Sequence, residues 1–207
     1  GVQTCALPIW KMTGENTMLS IDRISIKQEN SPAASWYEQE IAAMAQGDMQ
    51  ALCRLYERTR TAVYGFALSI LKKPADAEDV LQDTYIRLFH AAGRYVPQGK
   101  PMAFIFTITR NLARMRLRQT HHTVEITDEE WERFGQDRPA FTSEDRLILR
   151  TAMEALSDEE RQIVALHALS GFRHREIAEV LELPLATVLS KYHRALKKLR
   201  SRLAPSE

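Results

Sequence analysis

Residues 171–203 constrain this chain more than any other stretch. A short segment with Ile177, Ala178 and Leu181 on one helical face runs into a tight turn at Glu182, Leu183 and Pro184, and a longer basic segment follows. Val188, Tyr192, Ala195 and Leu199 recur there at the period of a helix with one buried face. Pro184 suits the opening turn of that second helix, where a missing N–H costs nothing. Two helices joined this way form a helix-turn-helix. Thr187, Ser190, Lys191 and Arg194 fall at i, i+3, i+4 and i+7 and share the opposite face. Hydrogen-bonding side chains and two cations, with no acid among them, suit contact with base edges and phosphates. A solvated helical hairpin carries the same apolar pattern, so the rest of the chain decides between the two.

With 207 residues the chain has room for one or two domains. Glycine is sparse and helix formers abound, which predicts an all-α protein. A net charge of +1 means that any affinity for DNA comes from local patches rather than the global field. No apolar run is long enough to cross a bilayer, so no membrane insertion is expected. Cys5 and Cys53 make no disulfide framework, and a reduced cytoplasmic setting is expected. Cys53, between Leu52 and Leu55, reads as a core thiol. Residues 1–9, GVQTCALPI, resemble the in-frame translation of a sequencing-adapter oligonucleotide. They are expected to be non-native, with the natural start at Met12 or Met18, inside a disordered extension over 1–35.

Helices are predicted over 36–45, 48–72, 77–92 and 102–119. Pro74 breaks the second, and Asp76 is the expected N-cap of the third. Residues 93–101 hold two glycines and two prolines and read as a loop. An acidic stretch over 121–142 reads as a flexible linker. A helix from Ser143 to about Leu156 follows, and then one opened by a Ser157/Glu160 capping box. The expected organisation is two small helical domains, 36–120 and 143–204, joined by that linker.

Two surfaces of the first domain stand out. On 77–92, Ala77, Val80, Leu81, Tyr85 and Leu88 point inward, while Asp79, Gln82, Asp83 and Ile86 form an outer stripe. An aliphatic residue inside an acidic stripe suits a protein partner with a basic, partly apolar surface, although solvated helix faces also carry single apolar residues. On 102–119, Phe104, Ile105, Ile108, Leu112 and Met115 form the apolar side. Thr107, Arg110, Asn111, Arg114 and Arg118 form a stripe, and Arg116 adds a fourth arginine. The stripe suits a phosphate backbone, with Tyr95 and Phe106 nearby to stack on unpaired bases. Arginines that complement a helix C-terminus give a similar pattern. His121-His122 reads as loop surface rather than a metal site, and no metal ligand set, phosphate loop or nucleophile–base pair is found, so neither an enzyme nor a cofactor is expected.

The segments DAEDVLQDTYIRLF (76–89), MAFIFTITRNLA (102–113) and ALSDEERQIV (155–164), the last with the helix-turn-helix, together resemble the sigma-70 family of initiation factors. The first is similar to its polymerase-binding helix, the second to its promoter-melting and −10-reading helix, and the third to its −35-reading domain. With no domain between the modules, the layout resembles the extracytoplasmic-function (ECF) group. The chain departs from the family with Phe104 in place of tryptophan and Met115 in place of an acid. It also has Glu182 and Ala186 where glycine is usual.

The resemblance implies a bacterial sigma factor that binds core RNA polymerase and directs promoter recognition and melting. Asp79, Gln82, Asp83 and Ile86 would dock on the clamp helices of the largest polymerase subunit. Tyr95, Phe104, Phe106, Thr107, Arg110, Asn111, Arg114 and Arg118 would hold the −10 strand. Thr187, Ser190, Lys191 and Arg194 would enter the −35 major groove, with Arg175 on a phosphate. An anti-sigma factor is an expected further partner. A stand-alone helix-turn-helix regulator is the competing reading, and it gives no role to the first domain's two stripes.

Overall fold

The computed structural model describes residues 32–119 and 151–203, and among these every regular element is helical. The extension before residue 32, the linker 121–142, His121-His122 and the first part of the helix expected from Ser143 lie outside the described residues. Helix α1 spans Pro32–Ala45, α2 Met49–Leu71, α3 Pro74–Ala91 and α4 Pro101–Gln119. After a helical segment over 151–154, α5 spans Asp158–Ser170, α6 His174–Leu181 and α7 Leu185–Leu203.

Local chemistry sets most boundaries. Asp48 caps α2 by accepting from the Gln50 N–H at 2.8 Å. Lys72 ends that helix in the left-handed conformation, at φ 59°. Lys73 precedes a proline and is extended, and Pro74 then occupies the first turn of α3. Thus Pro74 both separates two helices and opens the second, so α3 begins before the expected Asp76 cap. Asp76 lies buried inside the first turn, where the N-terminal helix dipole favours a carboxylate. The Ser157/Glu160 capping box forms in both directions: the Ser157 N–H donates to Glu160 at 2.8 Å and the Glu160 N–H to Ser157 Oγ at 3.4 Å. Gly171 closes α5 at φ 67°. Glu182 closes α6 at φ 56°, a conformation that costs a non-glycine residue about 1–2 kcal/mol.

Helix α2 is the hub, packed against α1, α3, α4 and α5. Its expected core residues Leu52, Leu55, Phe66 and Ile70 are all buried. Cys53 is only half-buried and lines an outer hollow with Trp36 and Arg58, because at its position on α2 it faces α1's edge rather than the bundle axis. The two modules share one continuous core. Phe66 of α2, Phe106 of α4 and Phe172 of the α5–α6 turn stack edge to face, with centroids 5.4 and 5.2 Å apart. Gly65 of α2 lies beneath Leu169 of α5, where a side chain would collide with the leucine tip. Lys72 reaches Asp158 at 2.7 Å across the same junction.

Candidate nucleic-acid interface

The helix-turn-helix forms where the sequence places it. Val188 and Ala195 are fully buried and Tyr192 and Leu199 partly so, which turns the opposite face of α7 outward. On that face Ser190 and Arg194 are exposed and Thr187 and Lys191 half-buried. The Ser190 hydroxyl donates to the Thr187 carbonyl at 3.0 Å, and Lys191 pairs with Glu159 of α5 at 2.6 Å. Arg175, near the start of α6, is exposed. Glu160, besides its capping role, accepts from Lys198 of α7 at 2.7 Å, which fixes α7 on α5.

On α3 the inward set Ala77, Val80, Tyr85 and Leu88 is buried, and Asp79, Gln82, Asp83 and Ile86 are exposed. Ile86 keeps 52% of its surface in solvent, in the middle of the acidic stripe. Arg116 crosses from α4 to bond Asp76 at 2.8 Å and Asp79 at 2.7 Å. It therefore lies against the acidic stripe and does not join the arginine row of α4.

That row is divided by the structure. Thr107, Asn111, Arg114 and Arg118 are exposed. Arg110 is not, at 3% exposure. Its guanidinium donates to the Leu181 carbonyl at 2.8 Å and pairs with Glu182 at 3.0 Å. Phe106 is fully buried between Phe66 and Phe172 and offers no ring to a base. The expectation that Phe106 stacks on DNA is corrected here: its helical phase points it along the bundle axis. Tyr95 and Phe104 are half-buried, and their rings meet at a tilt of 40° with centroids 4.9 Å apart. The Tyr95 hydroxyl donates to Glu38 at 3.2 Å, and the Gly99 N–H donates to the same carboxylate at 2.8 Å. Glu38 of α1 thereby shapes the loop before α4, in which Gly99 takes φ 71°. Burial, and then the Glu38 charge, push the Tyr95 phenol up to about 12, so it stays a neutral donor.

Tyr95 and Phe104 belong to an open hollow of about 330 Å³ that also takes in Arg94, Lys100 and Thr107 of this module and Glu179 of α6. Sequence reading missed Arg94, Lys100 and Glu179. The first two lie in or beside a loop with no periodicity to assign them a face, and Glu179 meets them only through tertiary packing.

Known protein families match both modules of this chain. A sigma-70 region 2 model matches residues 55–123, and a sigma-70 region 4 model matches residues 146–199. The ECF RNA polymerase sigma factor SigK of Mycobacterium sp. (strain KMS) is 30% identical over 174 residues, 79% of this chain and 88% of that protein. The RNA polymerase sigma factor CarQ of Myxococcus xanthus is 29% identical over 167 residues, covering 78% and 94%. Among solved structures, CnrH in complex with the cytosolic domain of CnrY superposes with a TM-score of 0.62 at 24% identity, over 81% of this chain and 97% of that one. The sigma factor RpoE of Bartonella quintana, in complex with the anti-sigma factor NepR, gives 0.60 at 23%, over 74% and 97%. These two likenesses bear on the fold. The paired region 2 and region 4 matches and the SigK relationship together show that the chain belongs to the sigma-70 family of RNA polymerase sigma factors, in its ECF group.

Proposed function

We propose that this sigma factor divides polymerase docking and promoter recognition among three faces. As a family member it binds core polymerase and directs promoter-specific initiation. The α3 stripe of Asp79, Gln82, Asp83 and Ile86 docks on the clamp helices of the largest polymerase subunit. The hollow at Tyr95 and Phe104, with Thr107, Asn111, Arg114 and Arg118, takes the unpaired −10 strand. Arg110 joins that strand once α6 moves off it. The outer face of α7 reads the −35 duplex, with Arg175 on its phosphates. The observation that carries this reading is the exposure of Ser190, Arg194 and Arg175 opposite fully buried Val188 and Ala195. No covalent step is involved: binding unpaired bases more tightly than paired ones offsets the few kcal/mol of unstacking. The acidic linker 121–142 runs through the nucleic-acid channel of polymerase, the setting is the cytoplasm, and an anti-sigma factor covers the same faces when transcription is off.

Run-off transcription with core polymerase, this chain and candidate promoters tests the reading. Asp83→Lys is the clean docking variant, because Asp79 already holds Arg116. It abolishes co-purification with polymerase while the fold is retained. Arg194→Ala weakens −35-dependent transcription without changing affinity for core. Unchanged co-purification of the Asp83 variant sinks the docking assignment.

A further inference from the structure

The surface that α7 turns outward is not uniformly polar. Leu185, Ala186 and Leu189, in its opening turns, are all exposed, and the two leucines keep 37% and 38% of their surface in solvent. Leu185 and Leu189 are four residues apart and make an apolar ridge along the helix, with exposed Ser190 beside it. The core does not need them: Val188 and Ala195, with partly buried Tyr192, supply the side of α7 that packs on α5 and α6.

Two polar side chains of the same turns are engaged within the module. Lys191 pairs with Glu159 of α5 at 2.6 Å, and the Ser190 hydroxyl donates to the Thr187 carbonyl at 3.0 Å. The exposed cations Arg194 and Lys197 lie further along α7, and Arg175 lies on α6. The outer surface is thus apolar at its N-terminal end and basic beyond it.

In a helix-turn-helix the N-terminal residues of the second helix meet base edges, while cations around them hold phosphates. A leucine there offers neither donor nor acceptor. A cytosine amino group or a guanine carbonyl oxygen buried beneath it loses water and gains no hydrogen bond. Thymine alone presents an apolar group in the major groove, its C5 methyl. Leucine against that methyl removes apolar surface from water on both sides of the contact.

We propose that Leu185 and Leu189 determine specificity in the −35 element by packing on thymine C5 methyl groups. This rests on the −35-reading role assigned to α7 above. The ridge selects A·T pairs at fixed positions through the methyl rather than through hydrogen bonds to the pair.

The test uses holoenzyme, core polymerase with this chain. Promoters selected from a library randomised over the −35 element carry thymine at fixed positions. Deoxyuridine in place of such a thymine deletes the methyl and leaves the hydrogen bonds of the base pair intact. It weakens holoenzyme binding roughly fourfold per methyl, the equivalent of one methyl-sized group left unburied. Leu185→Ala with Leu189→Ala erases the difference between thymine and uracil promoters, and Leu185→Met with Leu189→Met keeps it. Arg194→Ala weakens binding to both promoters and preserves their ratio. Circular dichroism checks the fold of each variant; if the double alanine variant is misfolded, Leu189→Ala alone lowers the thymine-to-uracil ratio. Equal binding of the two promoters by the unaltered chain, selected elements made of G·C pairs alone, or a full thymine preference in the alanine variants overturns the assignment. A full preference retained together with a changed oligomeric state gives the ridge to a protein contact instead. Scrambling the whole −35 element separates the two levels: if run-off transcription is unaffected, the functional reading of α7 fails, and if transcription is lost while uracil is tolerated, only the leucine assignment does.

Discussion

Replacing Phe106 separates a core role from a DNA-contact role. The ring is fully buried, edge-on to Phe66 at 5.4 Å and to Phe172 at 5.2 Å. Truncating such a residue to alanine costs about 3–5 kcal/mol, and two aromatic contacts worth about 0.5–1.5 kcal/mol each place this site toward the upper end. Domains are typically stable by about 5–15 kcal/mol, so Phe106→Ala removes a large fraction of that reserve. With a urea dependence near 2 kcal/mol/M, the midpoint falls by about 2 M. Phe106→Leu keeps most of the volume and loses roughly 1–2 kcal/mol. Urea unfolding followed by circular dichroism measures both. At a temperature where Phe106→Leu is folded, it supports normal promoter melting by permanganate reactivity, whereas Phe104→Ala, at the hollow, does not. A Phe106→Leu protein of unaltered stability that fails to melt a promoter would refute the core assignment and return this ring to the DNA.

Two further outcomes test local chemistry in the second module. His174 stacks on His167 at 5.2 Å and touches Tyr192 at 4.6 Å, and its buried Nε2 has no hydrogen-bond partner among the described residues. Burial, and then the neighbouring His167 and His193, lower its pKa below the ordinary 6.5. The unfolded chain therefore binds the proton more readily, and stability falls as pH drops below about 6.5 until the folded-state pKa is passed. His174→Gln flattens that dependence in urea midpoints taken at pH 7.5, 6.5 and 5.5, and parallel slopes for the two proteins count against it. Ser157→Ala removes one half of the α5 capping box and costs about 1 kcal/mol, a drop of about 2–4 °C in Tm, while Ser157→Gly costs only a few tenths.

Much of this protein is legible in order of residues alone. Periodicity separates the buried Val80, Tyr85 and Leu88 from the exposed Asp79, Asp83 and Ile86, because a helix carries its own register. Capping chemistry marks Ser157, because the bonds involved close within a few residues, whereas the expected Asp76 cap lies inside a helix that Pro74 opens. Three motifs in a fixed order identify the family. Only the tertiary structure decides what lies between modules. Phe106 and Arg110 both lie beside the α4 stripe in sequence, yet one enters a shared aromatic core and the other meets the end of α6. Their partners, Phe172, Leu181 and Glu182, lie more than sixty positions away along the chain. Contacts of that range leave no periodic trace in sequence, since they depend on how whole helices pack rather than on the spacing of neighbours.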